Sequence, residues 1–250
     1  MREIIEKKLK EIEEKEKVKI LFAAESGSRA WGFASPDSDY DVRFIYLRPA
    51  SYYLRLDRTR DVIEWQLDET LDINGWDLKK TLQLLHSSNP TLFEWALSPI
   101  VYRTSEKWEK VSAVIERYHL CKTSLYHYLN MARHNYKEFL LGEEVKLKKY
   151  FYVLRPILAC KWILAEGTPP PVLFDDLAAK YLDPEIKPIT DELLAKKRET
   201  PEIGTAKRID SLNDYLQKEI AGTEASIEGL PADRQEGWEQ LNQLFLETIE

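Results

Sequence analysis

The chain has 250 residues, 44% hydrophobic, 11% aromatic and 32% charged, with a formal net charge of −7. That composition excludes a disordered chain and supplies enough apolar material for a core without disulfide staples. No apolar run approaches the roughly 20 residues that cross a bilayer, and the charged start MREIIEKKLKEIEEKEK is unlike a secretory signal, so a cytoplasmic protein with no membrane partner is expected.

In the first sixteen residues Ile5, Leu9 and Ile12 recur three to four apart among Glu and Lys, which predicts a short amphipathic helix. Lys19–Ala24 is short and apolar and ends at Ser26-Gly27-Ser28, the pattern of a buried strand entering a turn. Asp39–Tyr46 reads as the next strand. Val62–Gln66 and Leu71–Ile73, separated by Asp68-Glu69-Thr70, predict a hairpin, and helical periodicity begins near Trp76.

Beyond Asn89-Pro90 the pattern is almost wholly helical: Thr91–Leu97, Glu106–Tyr118, Ser124–Leu141, Val145–Ala165, Asp191–Lys197, Ile209–Ile220 and Asp233–Ile249. Pro169-Pro170-Pro171 breaks this half without dividing it. The fold class is therefore α+β: a small mixed-sheet domain, 1–102, followed by a helical-bundle domain, 103–250, with the chemistry expected where the two face each other. Of the net charge, −6 lies in residues 221–250, where seven acids meet Arg234 alone. The near-neutral remainder excludes a general polyanion binder but leaves room for local basic patches. Trp238, Leu241, Leu244 and Phe245 form a packing stripe in the last helix. Cys121 and Cys160 lack any Cys or His partner at ligand spacing and read as core thiols.

The chemistry-bearing stretch is Gly27-Ser-Arg-Ala-Trp-Gly-Phe-Ala-Ser-Pro-Asp-Ser-Asp39-Tyr-Asp41-Val. Alternate strand residues share a face, so Asp39 and Asp41 project together with Cα atoms roughly 6.5–7 Å apart. Two carboxylates on one face repel each other, and a hard divalent cation between them removes that cost. Gly27 permits a tight turn after which the amides of Ser28 and Arg29, with the Ser28 hydroxyl, face an anion. Arg43, two residues beyond Asp41, shares its face. It reads either as a contact to phosphate or acceptor or as a cation offsetting the acids.

Gly27-Ser28 with Asp39-Tyr40-Asp41-Val42 resembles the signature of the polymerase-beta-like nucleotidyltransferases. More closely, Gly27–Arg43, Asp72–Lys79, Asn89–Tyr102 and Lys148–Pro156 resemble a bacterial and phage family of predicted nucleotidyltransferases, an RNA-repair-associated branch, over most of the chain. The resemblance implies that a Gly-Ser loop holds the NTP phosphates while three acids hold two Mg²⁺ ions, with Mn²⁺ able to substitute. It asks for a third acid within a hydrophobic-acid-hydrophobic triplet, which Leu71-Asp72-Ile73 supplies. Asp77 is the reserve choice, with capping a helix as its other role, and Glu64 follows it. Related two-domain enzymes complete the nucleotide site from the helical half, and Lys148, Tyr152 and Arg155, at i, i+4 and i+7, look like the counterpart, with Lys149 able to replace Lys148.

The expected activity is transfer of an NMP, AMP from ATP as first choice, to a hydroxyl of an RNA or tRNA end with release of pyrophosphate. The alternatives are adenylylation of a protein or small molecule, or a silent nucleotide-binding module. His127 and His134 read as bland, and Trp65, Trp76 and Trp95 as core around the sheet. No Gly-x-x-x-x-Gly-Lys-Ser/Thr loop, His-Glu-x-x-His or Gly-x-Ser-x-Gly is present.

Overall fold

The computed structural model describes residues 1–67, 70–199 and 204–250, with residues 66 and 67 as backbone only. The chain divides into two compact units. Unit 1 comprises Met1–Ala30, Asp39–Tyr118 and Gln235–Glu250, and unit 2 comprises Trp31–Ser38 and His119–Arg234.

Unit 1 opens with α1 (Arg2–Glu16), whose Ile5, Leu9 and Ile12 are fully buried. Removing each from water contributes roughly 1.5–3 kcal/mol. There follow β1 (Lys19–Ser26), α2 (Gly27–Ala30), β2 (Tyr40–Leu47), α3 (Ala50–Tyr53), β3 (Val62–Leu67), β4 (Leu71–Asp77), α4 (Leu78–His86), α5 (Pro90–Ala96), β5 (Val101–Arg103), α6 (Glu106–Ser112) and a 3-10 turn (Ile115–Tyr118). The five strands form one sheet in the order β3-β4-β2-β1-β5. Only β2 and β4 run parallel, so the sheet is mixed.

The two faces differ. Val42, Phe44, Tyr46 and Ile73 lie on one face, in a single apolar cluster with Ile5, Leu9 and Ile12 of α1. On the other, Leu21, Ala24, Ile45 and Leu47 meet Leu78, Leu82 and Leu85 of α4, Phe93 of α5 and Trp108 of α6. Asp41 and Arg43 precede Ile45 on that second face, and Asp72 and Asn74 precede Trp76 there.

Unit 2 contains α7 (Cys121–Phe139), β6 (Glu144–Lys146), α8 (Lys149–Glu166), α9 (Phe174–Tyr181), α10 (Lys187–Glu199), β7 (Thr205–Lys207) and α11 (Asp210–Glu228). β6 and β7 pair antiparallel. Phe33 is fully buried among these helices, 5.3 Å from the Phe151 ring and 5.8 Å from that of Phe174. The Trp31 carbonyl accepts from the Phe174 amide at 2.9 Å. The chain returns to unit 1 with α12 (Glu239–Ile249), whose Leu241 and Leu244 enter the α4–α6 core as the apolar stripe predicts.

The mixed α+β class is as expected, but several boundaries move. The single division near residues 101–104 is replaced by a discontinuous one. β5 is an edge strand of the sheet, and Trp108, Val111, Ile115 and Tyr118 belong to its core. The helix expected near Trp76 begins at Leu78, because the period-2 alternation of burial continues through Asp77. Glu106–Tyr118 is a helix plus a 3-10 turn, and Val145–Ala165 is a short strand followed by α8. The helix expected over 233–249 starts at Glu239, and α9 was not expected. Asp68 and Glu69, between the hairpin strands, lie outside the described residues. Among the described residues no helix is long and apolar enough to cross a membrane.

Gly75 is the register partner of Phe44, and a Cβ there would lie 2.2 Å from the Phe44 ring. Gly75→Ala should lower stability by about 2 kcal/mol or more, because the buried ring has nowhere to move. An unchanged urea midpoint would contradict this packing.

Candidate active site

β1 ends at Ser26, and the chain turns through Gly27 at φ +61°, a left-handed conformation that favours glycine. A Cβ on Gly27 would lie 2.1 Å from Oδ2 of Asp41, so glycine also makes room for that carboxylate. Ser28 is buried beside it. The Arg29 guanidinium lies 3.7 Å from the centroid of the Tyr40 ring and its Nε donates to the Asp39 carbonyl at 2.9 Å, tying α2 to the start of β2.

The parallel pairing of β2 with β4 makes Asp41 and Asp72 register partners. Arg43 joins them: its Nη2 donates to Asp41 Oδ1 at 2.9 Å and to Asp72 Oδ2 at 2.7 Å. Its Nη1 donates to the carbonyls of Val42 and Asp72, each at 3.2 Å. Burial raises the Asp41 carboxyl above the usual carboxylate range; Arg43 opposes that, while Asp39 and Asp72 add to it. Toward Asp41 and Asp72, Arg43 thus takes the second of the two roles open to it in the sequence, a cation that offsets the acids.

The three expected acids are not gathered equally. Asp39 lies one residue before β2 and is exposed. Among the described residues no group of three His, Cys, Asp or Glu side chains is placed to hold a metal ion. Of the three, Asp41 and Asp72 converge on one cationic nitrogen, and this all-oxygen pair has the donor chemistry of a hard divalent cation.

Glu25 was not legible as a site residue. It is 1% exposed on β1; its Oε1 accepts from the Asp41 amide at 2.8 Å and its Oε2 accepts from the Tyr102 hydroxyl. Burial raises its carboxyl. The available signal was an acid closing an otherwise apolar strand, Ile20–Glu25.

Asp77 takes the capping role. Its carboxylate accepts from the Lys79 amide at 2.8 Å and from the Tyr53 hydroxyl at 3.0 Å. The exposed Glu64 carboxylate contacts Arg60 at 3.4 Å.

The helical residues belong to unit 2. Lys148 caps α8 through its backbone. Lys149 Nζ lies over the Phe139 ring at 3.6 Å and the Tyr152 ring at 4.9 Å, and Tyr152 meets Trp31 edge-on at 5.6 Å. Arg155, expected along one helix face with Lys148 and Tyr152, is buried. It is 1% exposed, donates through Nε and Nη2 to the Val172 carbonyl at 3.2 and 3.1 Å, and packs 4.7 Å from the Trp31 centroid. A helix passing through an apolar core turns its seventh residue inward, and the guanidinium is anchored there by a carbonyl and an indole.

The family described as the RNA repair pathway DNA polymerase beta family (RlaP) matches residues 1–247. The chain belongs to that family. It is accordingly a polymerase-beta-like nucleotidyltransferase. It is 46% identical over 258 residues, covering 100% of this chain and 97% of the relative, to "Uncharacterized protein YcgL" of Bacillus subtilis (strain 168). A crystal structure of a nucleotidyltransferase-like protein from Exiguobacterium sibiricum 255-15 aligns with 90% of this chain and 74% of its own, at 13% identity and a TM-score of 0.32.

Burial pushes the Asp77 carboxyl up to about 6, against the lowering effect of the Lys79 amide and the Tyr53 hydroxyl. Between pH 4 and 6 the folded state thus holds a proton that the unfolded chain has lost. The contribution is fully present below pH 4 and is lost as pH rises through 6, at most about 3 kcal/mol. Asp77→Asn keeps a cap acceptor and should flatten the fall in unfolding free energy over that window. Glu25 and Asp41, also raised, leave a residual slope of the same sign. An unchanged slope in urea titrations at pH 4, 5 and 6 would refute the assignment.

Proposed function

We propose that this nucleotidyltransferase transfers an NMP, AMP from ATP as first choice, to a hydroxyl at an RNA end, with pyrophosphate as the leaving group. The observation that carries this reading is the pairing of Asp41 with Asp72 on adjacent parallel strands, with Gly27 against the Asp41 carboxylate. The family match to residues 1–247 supports the reaction class and favours RNA as acceptor.

Asp41 and Asp72 are the residues that would hold a divalent cation, with Asp39 as the third acid. When bound, Mg²⁺ supplies Lewis-acid stabilisation of charge on the α-phosphate. Gly27 and Ser28 form the turn proposed for the triphosphate, with Arg29 beside it. Arg43 balances the acids and remains a proposed contact to phosphate. In the transfer the acceptor oxygen forms a bond to the α-phosphorus while the bond to the β-phosphate oxygen breaks, and pyrophosphate departs with that electron pair. The acceptor's proton passes to Asp72. In unit 2, Lys148, Lys149 and Tyr152 remain proposed nucleotide contacts, whereas the burial of Arg155 suits anchoring.

The test is label transfer from ATP labelled at the α-phosphate, with Mg²⁺ or Mn²⁺, into RNA, protein and small-molecule fractions of a cell extract. Label should enter RNA, and Asp41→Asn and Asp72→Asn should each reduce it by about a hundred-fold or more with little change in melting temperature. Label in protein or small molecules alone would replace the acceptor, and full activity in either variant would remove the acid pair from the mechanism.

A further inference from the structure

Beside the acid pair, on the β3 side, lies a cavity of about 670 Å³ within unit 1. That volume falls in the range of about 300–1,000 Å³ typical of small-ligand sites. Its walls include Trp65, Trp76 and Trp95, three of the seven tryptophans of the chain. Trp65 packs partly on the α1 cluster and Trp76 partly on the α4–α6 cluster. Trp95 is 3% exposed and stacks on Trp76 at 3.7 Å with 28° between planes, but Trp76 and Trp65 are only half-buried. Trp65 sits where the β3–β4 register shifts, the kind of irregularity that re-aims a side chain. Lys15 Nζ lies 5.0 Å from its centroid.

The remaining lining is polar. Asn74 and Glu64 are register partners on β4 and β3, and they bring an amide and a carboxylate to the cavity. Arg43 and Asp72 close its end at the acid pair. One cation against two acids disfavours a triphosphate, whereas indole surfaces with amide and carboxylate groups suit a flat, uncharged ring bearing hydrogen-bonding edges. The order of strands adds direction. Gly27 follows β1 and meets Asp41 on β2, while the cavity spans β4 and β3, so the turn and the cavity flank the Asp41–Asp72 pair from opposite sides.

We propose that this cavity holds the unpaired base of the acceptor's terminal nucleotide, stacked on the indoles of Trp65 and Trp76, so that its ribose hydroxyl lies towards Asp72. This rests on the reading of the protein as a transferase acting on an RNA end, and adds that the enzyme recognises a single-stranded terminus through its last base. Trp95 braces Trp76, and Asn74 and Glu64 meet the edge of the base.

The test uses the full chain and two short single-stranded oligoribonucleotides, one ending in a 2-aminopurine nucleotide and the other in an abasic ribose. Affinity and 2-aminopurine fluorescence are measured without turnover, and label transfer from each α-labelled NTP is measured separately. The wild type should quench the probe and bind the base-bearing end about ten-fold or more tightly than the abasic one. Trp65→Leu and Trp76→Leu should bind both ends alike. Trp65→Leu guards against a folding defect at the Trp76–Trp95 stack, and a melting curve is recorded for each variant.

Equal affinity of the wild type for both ends would overturn the proposal, as would variants that melt normally and keep the preference. Transfer to RNA without base preference would remove the cavity's role and leave the proposed function standing. Base-dependent binding that the variants lose, with no transfer to RNA from any NTP, would do the reverse. Transfer to protein with no RNA binding would overturn both.

Discussion

Like charges on neighbouring strands must be compensated before a sheet can hold them side by side, and in this protein Arg43 does so. Its guanidinium reaches Asp41 and Asp72 through one nitrogen, at 2.9 and 2.7 Å. Without that cation, the register that pairs the two acids would place carboxylates against each other in a partly buried setting, where charge is costly. The same contact sets the direction of both carboxylates. Around it, Glu25 fixes the Asp41 backbone through the amide, and Gly27 leaves open the space that the Asp41 side chain fills.

The sheet can carry this polar site because its two faces are treated differently. One is sealed by α1, with Ile5, Leu9 and Ile12 fully buried. On the other, the helices cover Ile45 and Leu47 but not the stretch through Asp41, Arg43, Asp72 and Asn74. The strands thus run from a conventional apolar core into a polar end along the same face. The stability of the sheet and the chemistry of the site are served by successive residues of β2 and β4, which explains how acids persist next to so large a core.

Much of this was legible in the sequence, for reasons that differ between elements. The α1 stripe, the β1 strand and the β3–β4 hairpin follow from local periodicity, and the turn at Gly27 from residue type. Asp72 emerged from a hydrophobic-acid-hydrophobic triplet, but its partnership with Asp41 depends on a parallel register that no local pattern encodes. Arg43 shares a strand face with Asp41, which leaves two roles open to it in the sequence; its pairing with Asp72 across the parallel register selects that of a cation offsetting the acids. Glu25 escaped notice because its role lies in contacts with Asp41 and Tyr102, sixteen and 77 residues away. Spacing puts Arg155 along one helix face with Lys148 and Tyr152, but helix rotation is set by packing, which buries Arg155. Trp76 and Asp77 were taken for a helix start because the alternation of strand β4 runs directly into α4.

The division of the chain carries a consequence for how the protein is made. The segment between Ala30 and Asp39 belongs to the other unit, and the sheet unit receives its last helix from the C-terminal residues. A ribosome therefore delivers the sheet strands long before Leu241 and Leu244, which finish their core. During synthesis the intervening helices of unit 2 have their own complete complement from residue 234 onward, ahead of the unit that was begun first. Order of emergence and order of completion are thus inverted, and the sheet that bears the paired acids becomes a finished body only once α12 has been made.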